Sequence, residues 1–131
     1  MSIFLLDSNI VMSYLNNRDG RSAQLKEWSQ QGIRFASTSI VFTEVYMGMR
    51  QEEETITGLF LNSLKFYPVT QEIAQLAGNL YAHWRTKGHT LGLPDVTIAA
   101  VCIANGLTLV SSNQKHFPMP ELKLLALPAR L

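Results

Sequence analysis

Cysteine is nearly absent from the 131-residue sequence. The single Cys102 cannot form a disulfide within the chain, and in the run Val101-Cys102-Ile103-Ala104 it reads as a small core residue. No apolar run reaches the ~20 residues that a membrane span needs, so no membrane partner is expected. The first residues lack a basic stretch followed by an apolar segment and a small-residue cleavage site, which makes the cytoplasm the expected location. Net charge is almost absent too. Eleven bases against ten acids leave +1, so any contact with nucleic acid must come from a local patch and not from global attraction. There is no internal repeat, low-complexity segment or linker, and residues 1–131 read as one domain. Disorder is excluded by a hydrophobic content of 47%. Acids are missing between Val96 and Pro120, whereas Glu52, Glu53 and Glu54 stand in one run. Asp95 is therefore the last acid before a long neutral and basic stretch.

What the sequence does contain begins with Ile3-Phe4-Leu5-Leu6, an apolar run typical of a strand buried on both faces of a parallel sheet. Asp7-Ser8-Asn9 follows directly, and then Ile10, Val11, Tyr14 and Leu15 at helical spacing. A strand that ends in Asp and turns into a helix places that Asp at the carboxyl edge of the sheet, where open α/β sheets bind ligands. An Asp that only caps the helix is the competing reading.

Asn16 to Gly20 is predicted to be a turn, Ser22 to Gln31 a helix, and Ile33 to Ser37 a second strand. A helix capped by Thr38 or Ser39 runs to about Met49 and carries Glu44 in its second turn. Another starts at Glu52, with Ile56, Leu59, Phe60 and Leu64 as its apolar residues. Residues 65–69 read as an extended connection. Thr70 then caps a long helix with the stripe Ile73, Leu76, Ala77, Leu80, Tyr81 and Trp84, which is core or dimer interface. A loop with two glycines leads to a helix opened by Pro94 and Asp95 and closed by Asn105-Gly106. Leu107 to Val110 and Leu122 to Leu127 are the last strands, with a short helical turn over Gln114 to Phe117 between them. Such alternation predicts a three-layer α/β/α fold with a mostly parallel central sheet.

In such a sheet Asp7, Glu44, Asp95 and the run Ser111-Ser112-Asn113 can converge at one edge. Carboxylates a few Å apart repel by about 4 kcal/mol per pair at an effective dielectric near 20, so the site needs a proton or a cation. Oxygen ligands without Cys point to a hard divalent ion, Mg²⁺ or Mn²⁺. The histidines, His83, His89 and His116, are not spaced as a metal pair, although His116 lies near the expected site and has contact with a ligand there as one reading.

These residues resemble a known family. Leu6-Asp7-Ser8-Asn9, Thr43-Glu44-Val45 with Gly48, Pro94-Asp95-Val96-Thr97-Ile98-Ala99-Ala100, and Leu109-Val110-Ser111-Ser112-Asn113 with Phe117 are similar, in order and spacing, to the PIN-domain ribonucleases and most of all to the VapC-type toxins of bacterial toxin–antitoxin pairs. The resemblance runs nearly end to end. It implies an Mg²⁺- or Mn²⁺-dependent endoribonuclease that is usually a homodimer and is inhibited by a small antitoxin protein. It maps the family's acids onto Asp7, Glu44 and Asp95 as catalytic residues and metal ligands, with Ser8, Asn9, Ser111 and Asn113 as supporting polar groups. Where the family commonly has a fourth acid in a Thr-x-Asp pattern, this chain has Ser111 and Asn113, which leaves one metal ion or two open. Candidates for contacting RNA phosphates are Arg18, Arg21, Arg85, Lys87 and Lys115.

Two other readings compete. An Asp-nucleophile phosphatase also begins with an apolar strand ending in Asp, but usually needs a second Asp two residues on, where this chain has Asn9. A catalytically silent module that keeps the fold is favoured only by Asn113.

Overall fold

The computed structural model describes residues 2–127. Its sheet has five strands, β1 (Ile3–Leu6), β2 (Arg34–Thr38), β3 (Lys65–Tyr67), β4 (Thr108–Ser111) and β5 (Lys123–Ala126). They lie in the order β3-β2-β1-β4-β5, and every neighbouring pair is parallel. The α/β fold is therefore as the sequence predicts, with one addition. Residues 65–67 are not a bare connection; they pair with Ala36 to Thr38 and form the edge of the sheet. Thr38, expected as a helix cap, instead donates its hydroxyl to the Tyr67 carbonyl (2.5 Å) across this pairing.

Six helices fill the crossovers: α1 (Ser8–Leu15), α2 (Arg21–Gln30), α3 (Ser39–Gly48), α4 (Glu54–Ser63), α5 (Gln71–Thr86) and α6 (Leu93–Asn105). The turn into α2 holds Asn17, Asp19 and Gly20 at positive φ, a conformation these residue types tolerate best. Thr70 caps α5 by accepting the Ile73 N–H at 3.2 Å.

The core is continuous. Leu5 and Leu6 of β1 meet Leu109 and Val110 of β4 at the centre, and α6 contributes the unbroken buried run Val96 to Cys102. The sequence misjudges α4. Ile56 (65% exposed) and Leu59 (71% exposed) face outward, Thr57 and Leu61 are buried in their place, and Leu64 is buried as expected. Phe60 stacks on Tyr14 of α1 with centroids 4.5 Å apart, and that contact sets the helix phase.

Strand order reverses between β1 and β4. Chain continuing from β1 builds the sheet toward β3, and chain returning from α6 builds it toward β5. Ligands of open α/β sheets bind outside the carboxyl ends of the strands at such a switch point. Asp7 and Ser111 stand there.

Candidate functional site

The register that pairs Leu6 with Val110 brings Asp7 level with Ser111. The Asp7 N–H donates to the Val110 carbonyl (2.9 Å), extending the ladder to its last possible rung. The Asp7 side chain then turns into the switch point and is 3% exposed. Its Oδ1 accepts from the Ser8 N–H (2.8 Å) and its Oδ2 from the Ser111 hydroxyl (2.7 Å). Both readings of Asp7 thus hold together: it is the N-cap of α1 and it is also the carboxylate at the centre of the edge. Ser111 itself accepts the Asn113 N–H (3.0 Å), so its hydroxyl proton is committed to Asp7.

Burial pushes the Asp7 carboxyl above the ordinary carboxylate range. The hydrogen bonds from Ser111 and Ser8 pull it back in part, and the charges of Asp95 and Glu44 push it up again. The three acids predicted from sequence therefore share one electrostatic environment.

Asp95 sits in the first turn of α6, beside the Gly92 that caps it. A Cβ added at Gly92 would stand 3.3 Å from Asp95 Oδ2, so this glycine leaves room for the carboxylate. Burial raises the Asp95 pKa, against the pull of His116, whose Nδ1 lies 3.1 Å from Asp95 Oδ2. Glu44 is reached through Ser8, whose hydroxyl donates to Glu44 Oε1 at 3.0 Å. Asn9 Oδ1 accepts the Ser112 N–H at 3.4 Å, a second tie between the ends of β1 and β4.

Among the described residues no three Asp, Glu, His or Cys side chains stand close enough together to hold one ion. Like charges in low dielectric separate toward whatever donors are at hand. Glu44 has turned to Ser8, Asp95 to His116, and Asp7 to Ser111. The donor set nonetheless fits a hard divalent cation: carboxylate oxygens from three elements, two of them with pKa values raised by burial, surrounded by hydroxyl and amide groups.

The basic candidates divide. Arg85 and Lys87, at the end of α5, and Lys115, next to the His116 that touches Asp95, are exposed. Arg18 is exposed beyond the far end of α1, a helix of eight residues or about 12 Å. Arg21 is 4% exposed in the first turn of α2, which corrects its assignment as a phosphate contact. Sequence reading missed Gly92 as the cradle of Asp95 and Ser8 as the support of Glu44. Both are contacts of rotamer and turn geometry with no periodic signal.

The model of the PIN domain matches residues 4–120. Ribonuclease VapC10 of Mycobacterium tuberculosis is 31% identical over 120 residues, covering 91% of this chain and 89% of that protein. Ribonuclease VapC19 of the same species is 28% identical, covering 91% of this chain and 96% of its own length. Among solved structures, VapBC2 from Rickettsia felis bound to a promoter DNA fragment superposes with a TM-score of 0.82 at 27% identity, over 95% of this chain and 98% of that one. DNA-bound VapBC from Salmonella typhimurium shares the fold with a TM-score of 0.81 at 21% identity, over 96% of this chain and 98% of that one.

Proposed function

This chain belongs to the PIN-domain family, and on that premise we propose that it is a metal-dependent endoribonuclease, the toxin of a toxin–antitoxin pair, with its acidic centre at Asp7, Asp95 and Glu44. The observation that carries the reading is the buried Asp7, held by Ser111 at the topological switch point and sensing the charges of Asp95 and Glu44.

The mechanism is metal-assisted phosphodiester hydrolysis. Asp7, Asp95 and Glu44 would hold Mg²⁺ or Mn²⁺, which supplies Lewis acidity toward water and toward the scissile phosphate. The chain's own residues prepare that site. Ser111 and the Ser8 N–H fix the Asp7 carboxylate so that its remaining lone pairs point outward. Ser8 orients Glu44, and His116 together with the space at Gly92 orients Asp95. Asn113 spends its main-chain N–H on Ser111 and adds no charge, which favours one ion over two in the absence of RNA. Asn9 is tied as an acceptor to the Ser112 N–H and carries no acid, so it offers no proton donor for the phosphatase alternative.

Partners follow from the relatives. The solved neighbours are toxin–antitoxin complexes, and a cognate antitoxin and a second copy of this chain are proposed partners here. No helix among the described residues is long and apolar enough to cross a membrane. The test of the reading is RNA cleavage by purified protein in EDTA and after adding Mg²⁺ or Mn²⁺. Activity is expected only with the ion, and cleavage indifferent to chelator would sink the metal mechanism.

A further inference from the structure

Between Ile73 and Pro120 the only acid is Asp95, and the same span carries Arg85, Lys87, Lys115 and all three histidines of the protein. These residues form two groups. In one, His116 touches the Asp95 carboxylate, with Lys115 adjacent and exposed. The other is the last turn of α5 and the loop that leads from it to α6. There the Arg85 guanidinium carbon lies over the Tyr81 ring, 5.6 Å from its centroid, and the Lys87 Nζ over the Trp84 ring at 5.4 Å. Trp84 is braced edge-on by His83 at 5.6 Å and His89 at 5.5 Å. The His89 N–H donates to the Trp84 carbonyl (2.9 Å), so the loop is folded back onto the helix end.

The chain itself ties this cluster to the site. Only Thr90 and Leu91 separate His89 from Gly92, the residue against the Asp95 carboxylate. Three residues of extended chain span at most about 11 Å. Leu91 is buried and anchors the segment. Arg85 and Lys87 are therefore held near the reacting edge, and each rests on an aromatic ring that limits its freedom before any ligand arrives. Each cation lies over one face of its ring, so the rings serve as supports for the charges.

We propose that the last turn of α5 and the loop behind it bind the backbone phosphates of single-stranded RNA next to the scissile bond, with Arg85 and Lys87 as the contacts and Tyr81 and Trp84 as their supports. This rests on the ribonuclease reading above, and the test separates the two. Binding of a fluorescein-labelled single-stranded RNA oligonucleotide is measured by anisotropy in EDTA, where no cleavage is expected, over a series of salt concentrations. Arg85→Ala and Lys87→Ala should each weaken binding several-fold and flatten the log Kd against log salt slope by about 0.7, the value for one lost phosphate contact on a single strand. Tyr81→Leu keeps the charge, so it should weaken binding with the slope unchanged. Lys26→Ala, on exposed α2 surface, should change neither. With Mg²⁺ present, the Arg85 and Lys87 variants should raise KM and hold kcat. If unmodified protein cleaves RNA but Arg85→Ala and Lys87→Ala keep its affinity and slope, the proposed surface is wrong and the ribonuclease reading stands. If slopes change as described but nothing is cleaved, the surface stands and the ribonuclease reading falls. Equal loss in Lys26→Ala would mean diffuse attraction and would also overturn the surface.

Discussion

A carboxyl group that is almost fully out of water, as Asp7 is, prefers to keep its proton. Its folded pKa lies above the unfolded value of 3.8, so the fold gains from it fully below pH 3.8 and loses that gain as pH rises through the folded pKa. Asp95 acts in the same direction, also through burial. Both carboxyls therefore stabilise the apo fold less at neutral pH than in acid. Asp7→Asn should raise the Tm measured in EDTA at pH 7, with the advantage shrinking toward pH 3.8, while RNA cleavage with Mg²⁺ falls by roughly 10²–10³. The Ser111 hydroxyl can rotate to accept from the new amide, so folding itself is expected to survive. A lower Tm at pH 7, or full cleavage, would make Asp7 a structural cap only. At this scale the sequence shows the acids well, because Asp7 follows an apolar strand and Asp95 follows Pro94 at a helix start. It does not show which donor each acid turns to. His116 reaches Asp95 across 21 positions, and Ser8 reaches Glu44 across 36.

Among the elements, α6 carries the heaviest demands. Its body is buried on most sides from Val96 to Cys102, its end is closed by Gly106 at φ 64°, and its first turn presents Asp95. Gly92 has an ordinary φ of −74°, so an alanine there meets no backbone strain, only the Asp95 carboxylate at 3.3 Å. Gly92→Ala should therefore leave the unfolding free energy from urea titration within about 0.5 kcal/mol of the parent while lowering cleavage about tenfold or more. Unchanged cleavage would show that the carboxylate can move aside freely. The helices with clear period, α5 above all, are legible in the sequence. Helix α4 is not, since Ile56 and Leu59 look like core, and only the Phe60–Tyr14 stack with buried Thr57 and Leu61 reveals the true face. Strand β3 is hidden for another reason. With three residues at a sheet edge and Lys65 and Phe66 exposed, it has neither the length nor the burial that gives a strand its signature.

For the molecule as a whole, stability and function meet in the same strands. Leu109 is fully buried in β4, between β1 and β5, two positions before Ser111. Leu109→Ala should cost 2–5 kcal/mol, read from urea unfolding, through the lost contacts and the cavity left behind. A cost under about 1 kcal/mol would mean that the centre of the sheet collapses around the gap. The α/β class and the convergence at one edge follow from the alternation of strands and helices in the sequence. The strand order does not, since no local pattern records that β4 lies beside β1.

That adjacency has a consequence in time. Asp7 leaves the ribosome ahead of its partner Ser111, which comes 104 residues later. At about 5–20 residues per second the interval is roughly 5–20 s, during which β1 has β2 on one side and nothing yet made for the other. Parallel pairing of strands so far apart is also slow to nucleate, because the intervening chain must close as a loop first. A half-made chain can hold the first carboxylate and still lack the hydroxyl that aims it. The Asp7–Ser111 pair can therefore form only once the chain through β4 has been made.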